Sequence, residues 1–287
     1  MEMFIMCLTS PKEVNFMINQ PIGIIGAGNM ASAIARGIID KKAVTPSSVH
    51  MFDPDSTKLA DLANELNVVP ESNNIALVKN SNIIILAVKP NIYPTVIKEI
   101  RDAVDQSKTI VTIAAGQKIS IIENLFGKPI SLVRVMPNTP ALVGEGMSAL
   151  TPNQFISEEN KKEVLTLFEC LGKAEIIPEK LMDAVTGISG SSPAFVFMFI
   201  EAMADAGVQA GMPRQQAYTF AAQAVLGSAK MVLDSGKHPG ELKDMVTSPS
   251  GTTIEGVLTL ENKGFRGIVS QAVKDTIEKS IVMSKDD

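Results

Sequence analysis

Residues 22–31 read Ile-Gly-Ile-Ile-Gly-Ala-Gly-Asn-Met-Ala. Within them Gly26, Ala27, Gly28, Asn29, Met30 and Ala31 fit G-x-G-x-x-A, the turn from a buried strand into a helix that binds a dinucleotide. Gly26 permits the tight turn, Gly28 lets a diphosphate approach the backbone, and Ala31 lets the helix pack close to the sheet. The helix start then offers free N–H groups and a positive dipole end to the phosphates. The alternative is an ordinary glycine turn. The apolar strand before it, and Met30, Ile34 and Ile38 at helical spacing after it, favour the dinucleotide.

Two further stretches carry hydroxyls and glycines at helix openings. Thr186-Gly187-Ile188-Ser189-Gly190-Ser191-Ser192-Pro193 is one, and Ser248-Pro249-Ser250-Gly251-Thr252-Thr253 is the other. Their hydroxyls can serve as helix caps alone. Exposed N–H groups at such starts also suit the carboxylate of a small acid. No His–Asp pair or metal cluster is evident: His50 and His238 are isolated in the sequence, and Cys7 and Cys170 are too few for a metal quartet or a disulfide framework.

The elements that position these groups alternate as βα units. Val49 to Asp53 reads as a second strand ending in an acid. Asp53 either accepts hydrogen bonds from the adenosine ribose, which leans toward NAD over NADP, or belongs to a turn of helix-capping acids with Asp55. Ile83 to Val88 is a continuous apolar run, a strand buried on both faces, halted by Lys89-Pro90. Thr109–Ile113 and Ile130–Val135 are strands that run into Ala114-Ala115-Gly116 and Met136-Pro137-Asn138-Thr139-Pro140. Helices are expected over Leu59–Leu66, Asn73–Asn80, Ile92–Ile100 and residues 158–171. A capping box of Ser120 and Glu123 is expected to open another. Gly146–Leu150 and Ala174–Ile177 add strands. The pattern predicts an α/β fold with a Rossmann-like, doubly wound and mostly parallel sheet.

After Pro178 the character turns all-helical. Helices are expected over Pro193–Gly211 and Pro213–Gly236, and a third through Ile254 and Leu258. Phe220, Val225, Leu226 and Met231 spread around most of the second helix. A helix apolar on nearly every side must be buried on nearly every side, so a dimer is expected through this half. The domains are therefore a loosely ordered extension over 1–20, a dinucleotide-binding domain over 21–178, and an all-α substrate and dimerisation domain over 179–287. Met17, just before the first strand, fits an upstream start codon.

Bulk properties exclude other classes. The chain has 287 residues, 45% hydrophobic and 20% charged, with a net charge of −5 and no polybasic block. That argues for a large packed core and against nucleic acid or an anionic membrane as partner. No apolar run reaches membrane-spanning length and residues 1–20 make a poor signal peptide, so the expected location is the cytoplasm.

Taken together these stretches resemble pyrroline-5-carboxylate reductase, over about residues 21–280. The shared pieces are residues 23–30, Ala87-Val88-Lys89-Pro90, Ala114-Ala115-Gly116, Met136–Pro140, Asp183–Ala194, His238–Asp244 and Ser248–Thr253. The resemblance implies a Rossmann domain, a helical dimerisation domain, and homodimers often built into rings. It implies hydride transfer from NADPH or NADH to the C=N bond of 1-pyrroline-5-carboxylate, the last step of L-proline biosynthesis. Cofactor contacts carry over to Gly26, Ala27, Gly28, Asn29, Met30, Asp53, Asn74, Ala87, Val88, Lys89, Pro90, Ala114, Ala115 and Asn138. Substrate contacts carry over to Ser191, Gly251, Thr252, Thr253 and Glu179. The N–H groups of Gly251 and Thr252 are expected to hold the carboxylate, and Thr253 is the expected catalytic residue at the ring nitrogen. No metal is implied. Ser250 departs from the family, which usually has a second glycine there, and many relatives carry a neutral or hydroxylated residue in place of Asp53. A β-hydroxyacid-type dehydrogenase is a rival, but it needs a lysine within 191–211, where this chain has none. A non-catalytic NAD(P)-sensing dimer is the other.

Overall fold

The computed structural model describes residues 17–284. Within them the chain packs as two compact units, residues 17–190 with 279–284, and residues 191–278. By packing, the two units divide at Gly190, and the chain's last turn, residues 279–284, goes with the first unit. The expected extension lies outside the described residues up to residue 16. Ile18 belongs to the core, with its N–H donating to the Ala43 carbonyl at 2.8 Å, so the packed core reaches back before residue 21.

The first unit holds eight strands: β1 (Ile22–Ile25), β2 (Val49–Phe52), β3 (Val69–Pro70), β4 (Ile83–Leu86), β5 (Thr109–Thr112), β6 (Ser131–Met136), β7 (Gly146–Pro152) and β8 (Gly172–Ile176). They form one sheet in the order β3-β2-β1-β4-β5-β6-β7-β8. Every neighbouring pair is parallel except β6 with β7. That exception has a simple cause: the link from Pro137 to Glu145 is too short for a parallel crossover. The two-residue edge strand β3 has no sequence signal of its own and is added to the expected set. Strand β4 ends at Leu86, so Ala87 and Val88 belong to the loop after it rather than to the strand.

Six helices flank the sheet: α1 (Asn29–Asp40), α2 (Ser56–Leu66), α3 (Asn74–Asn80), α4 (Tyr93–Ile100), α5 (Ile119–Phe126) and α6 (Glu158–Glu169). Two apolar cores result, one per face. On one face Ile22, Ile24, Ile83 and Ile85 meet α1, α2 and α6; on the other Ile25, Ile84 and Leu86 meet α3, α4 and α5. Alternate residues of each strand point to opposite faces, which is why these runs are apolar throughout. The expected capping box of α5 is not formed. Lys118 is the N-cap residue, the Ile119 N–H donates to Glu179 Oε1 at 2.8 Å, and Glu123 instead accepts from Asn153 at 2.7 Å. A carboxylate distant in sequence thus does the capping, which a local motif cannot reveal.

After β8 come α7 (Met182–Val185) and a π-helical turn over Thr186–Gly190. The second unit holds α8 (Ser192–Gln209), α9 (Arg214–Ser235), α10 (Pro239–Met245), α11 (Thr252–Asn262) and most of α12 (Phe265–Met283). α10 and α12 add to the expected helices; neither shows a clean apolar stripe in the sequence. α8 and α9 approach through small residues: Ala204, Ala217 and Ala221 are buried, and a Cβ on Gly207 would stand 3.4 Å from that of Ala217. The large apolar side chains of this unit face outward instead, among them Phe197 at 60%, Met198 at 68% and Phe220 at 67% exposure. The helical stretch Glu179–Gln209 also has the length and hydropathy of a membrane span, by composition alone.

Candidate functional site

The register places the site's loops along one edge. Phe52, Ile25, Leu86, Thr112 and Arg134 lie in one row across β2, β1, β4, β5 and β6. The residues that follow them, Asp53, Gly26, Ala87 and Ile113 leading into Ala114, with the loop after Met136, therefore open at the carboxyl edge of the sheet. The strand order reverses between β1 and β4 at this edge, the place where open α/β sheets bind ligands.

Gly26 has φ +114°, and a Cβ there would meet the Ala87 carbonyl oxygen at 2.7 Å. Both its conformation and its neighbour demand glycine. Gly28 differs: its φ is −78°, and a Cβ would find nothing within 4 Å. The protein leaves open space in front of Gly28, which suits a diphosphate. Gly28 is the N-cap residue of α1 and no side chain caps that helix. The first-turn N–H groups, from Asn29 and Met30 on, are thus left for an anion.

Asp53 touches this turn directly. Its Oδ2 accepts from the Ala27 N–H at 2.7 Å and its Oδ1 from the Asp55 N–H at 2.9 Å. The capping role left open for these acids falls to Asp55, which accepts from the Lys58 N–H at the start of α2. Those hydrogen bonds hold its carboxyl below the usual carboxylate range. Asn74, the first residue of α3, is buried; its Nδ2 donates to Glu99 at 2.8 Å while its Oδ1 has no partner. A buried amide oxygen without a donor costs about 1–3 kcal/mol. A nucleotide hydroxyl would satisfy it. The open space at Gly28, the uncapped helix start and this orphan oxygen fit a dinucleotide.

Lys89 precedes a 3₁₀ turn over Pro90–Ile92. Behind that loop Tyr93 is fully buried, its hydroxyl donating to the Leu86 carbonyl at 2.7 Å and accepting from Thr112 at 2.9 Å. Burial pushes its phenol up to about 12, so it stays protonated and keeps β4 and β5 together at the edge. Nothing in the sequence singled out Tyr93, although a tyrosine at an apolar helix position requires a partner for its hydroxyl. Asn138 is a clamp: Nδ2 donates to the Ser189 carbonyl at 3.0 Å, and Oδ1 accepts from the Met147 N–H at 2.9 Å. Its side chain ties the loop after β6 to the π-helical turn, leaving its backbone for any cofactor contact. Gly116, after Ala114 and Ala115, has φ +76°, and a Cβ there would stand 3.2 Å from the Met283 carbonyl oxygen, where the end of α12 returns.

The expected substrate residues Ser191, Gly251, Thr252 and Thr253 all lie in the second unit. Ser191 is the N-cap of α8 and its hydroxyl makes no capping bond. Gly251 is the N-cap of α11, again without a side-chain cap. The Gly251 N–H donates to the Ser248 carbonyl at 3.1 Å, closing a turn, so the helix-start donors are those of Thr252 and Thr253. Ser250 in that turn has φ +57°, a conformation that favours glycine.

Glu179 is likewise engaged. Its Oε1 pairs with buried Arg134 at 2.9 Å as well as capping α5, so in this unit it acts as a structural bridge. Arg134 went unnoticed, yet an arginine within the apolar run of β6 signals a buried partner. His50 is not isolated: Nδ1 lies 2.7 Å from Glu71, which also accepts from Asn80, on the β2–β3 side of the sheet. Cys170 is buried and burial pushes its thiol up to about 11. Cys7 lies outside the described residues. Among the described residues no group of His, Cys, Asp or Glu is placed to hold a metal ion.

Comparison with known proteins matches both regions. A pyrroline-5-carboxylate reductase dimerisation model covers residues 179–283, and a model for coenzyme F420-dependent NADP oxidoreductases covers 21–116. The pyrroline-5-carboxylate reductase of Escherichia coli is 47% identical over 268 residues, 93% of this chain and all of that one. That of Methanosarcina acetivorans is 45% identical over 94% of this chain and all of that one. The crystal structure of a Plasmodium falciparum pyrroline carboxylate reductase with NADP bound superposes with a TM-score of 0.84 at 35% identity, covering 94% of this chain and 100% of that one. With relatives this similar across both compact units, and a glycine turn built to receive a dinucleotide, the chain belongs to the pyrroline-5-carboxylate reductase family.

Proposed function

We infer that the two sets of helix starts divide the work of one reduction. The chain is an NAD(P)-dependent oxidoreductase that converts the C=N bond of 1-pyrroline-5-carboxylate to the C–N bond of L-proline. The observation that carries this reading is the 47% identity to the Escherichia coli enzyme over 93% of the chain, spanning both units. When bound, the reduced nicotinamide supplies the hydride for the imine carbon.

The chain's own residues bind and orient. In the first unit the N–H groups after Gly28 hold the diphosphate, Asn74 Oδ1 accepts from a nucleotide hydroxyl, and the loops after β4, β5 and β6 border the nicotinamide. In the second unit the N–H groups of Thr252 and Thr253 hold the substrate carboxylate at the positive end of α11. The Thr253 hydroxyl hydrogen-bonds the ring nitrogen and keeps its proton in place, and the Ser191 hydroxyl orients the ring. A protonated imine is already electrophilic, so positioning is the main contribution required of the protein.

The test follows reduced nicotinamide absorbance with 1-pyrroline-5-carboxylate. Substrate-dependent oxidation is expected, and Thr253→Ala should lower kcat/KM by about 10²-fold with folding intact. Unchanged kinetics would remove Thr253 from the mechanism. Cofactor binding without any oxidation would favour the sensing dimer.

The chain is a homo-oligomer through its dimerisation region. We extend this to a ring of dimers, supported by the breadth of apolar surface on α8, α9 and α12. The same pairing accounts for the apolar character of Glu179–Gln209 without a membrane. The absence of a polybasic surface block supports a small-molecule role without nucleic acid, and a soluble cofactor supports the cytoplasm.

A further inference from the structure

We propose that Asp53 makes this reductase select NADH over NADPH, by placing a carboxylate where the 2′-phosphate of NADPH would lie. The inference rests on the reading of the glycine turn as the nucleotide site and adds the choice between its two possible ligands.

Three observations carry it. Asp53 follows the last residue of β2, next to the strand that leads into the glycine turn, and its Oδ2 holds the Ala27 N–H at 2.7 Å. In a dinucleotide fold that position faces the adenosine ribose. Next, the carboxylate cannot easily turn away, because Oδ1 is held by the Asp55 N–H at 2.9 Å. Two backbone donors on two oxygens fix its plane, and each oxygen still has a lone pair for a ribose hydroxyl. Finally, the segment that follows Asp53 opens with acid rather than base. Asp55 adds a second carboxylate, and the one cation among residues 53–66, Lys58, is paired with Asp55 at 3.2 Å.

A 2′-hydroxyl can donate to Asp53. A 2′-phosphate, with about −1.5 to −2 charge near neutral pH, presents mainly acceptors and is repelled. The Plasmodium falciparum relative was crystallised with NADP, so this segment is where the present chain is expected to differ from that one.

The experiment measures dissociation constants of NAD⁺ and NADP⁺ by calorimetry, and kcat/KM with NADH and NADPH, for the wild type, Asp53→Asn and Asp53→Ser. Wild type is expected to favour the NAD nucleotides by at least ~10-fold in both measurements. Asp53→Asn keeps an oxygen for Ala27 and removes the charge. It should shrink the preference by ~10-fold or more, chiefly by tightening NADP⁺ and lowering KM for NADPH. Asp53→Ser, smaller and neutral, should move it in the same direction. Equal or tighter NADP⁺ binding by the wild type overturns the proposal. So does a proportional weakening of both nucleotides in the variants, which is what a purely structural Asp53 would produce. Calorimetry that separates NAD⁺ from NADP⁺ while neither reduced cofactor supports turnover would sink the reductase reading and leave this inference standing.

Discussion

Two glycines of one turn serve different ends, and single substitutions should separate them. Gly26 is required by the fold: its φ of +114° and the Ala87 carbonyl 2.7 Å from any Cβ leave no room for a side chain. Gly26→Ala should cost about 2 kcal/mol or more of stability, seen as a lowered Tm. Gly28 has ordinary extended backbone and open space around it. Gly28→Ala should change stability by less than about 0.5 kcal/mol. It should nevertheless weaken nucleotide binding by ~10-fold or more in a calorimetric titration, because the added methyl enters the space of the diphosphate. Equal loss of stability in both variants would contradict the separation. The sequence motif treats both glycines alike; only the surrounding atoms distinguish them.

At the level of elements, the bridge from Glu179 decides how α5 and β6 are held. Removing its carboxylate leaves Arg134 buried without its partner and the α5 start uncapped. Glu179→Ala is therefore expected to lose about 2–3 kcal/mol of stability in denaturant unfolding, below the range for a fully buried pair because Glu179 is a third exposed. Its KM for 1-pyrroline-5-carboxylate should stay within about 2-fold of wild type. A raised KM with unchanged stability would return Glu179 to the substrate, as the sequence reading has it. Helix starts show the same limits. Asp55, Asn73 and Ser157 cap α2, α3 and α6 with side chains from just before each helix, and such caps are readable in sequence. The α5 cap comes from Glu179, and no local pattern reports a partner so distant.

The whole molecule is incomplete as a single chain. Phe197 and Phe220, on α8 and α9, are both at least 60% exposed, and Met198 and Leu233 on the same two helices share that exposure. Burying one such side chain is worth about 1.5–3 kcal/mol, so a dimer that covers several gains far more than one contact. The double variant Phe197→Glu with Phe220→Glu should sediment as a monomer at micromolar concentration where the wild type does not. Its Tm should fall, because dimerisation and folding are linked. A double variant that keeps the wild-type sedimentation would place the interface elsewhere. The all-round apolar character of α9 was visible in the sequence, and it is the reason a dimer was expected at all.

The sequence by itself determined the parallel βα order, the dinucleotide turn, the helical second half and the family, since each follows from periodicity or a contiguous motif. Tertiary structure alone decided the rest. It set the antiparallel β6–β7 pair, the Glu179–Arg134 bridge, the Tyr93 and Asn138 clamps, the return of the last turn of α12 to the first unit and the Ala27–Asp53 bond. These depend on groups far apart in the chain meeting in space. A side chain's type is written in the sequence, but the donor or charge that will face it is set only when the strands take their order.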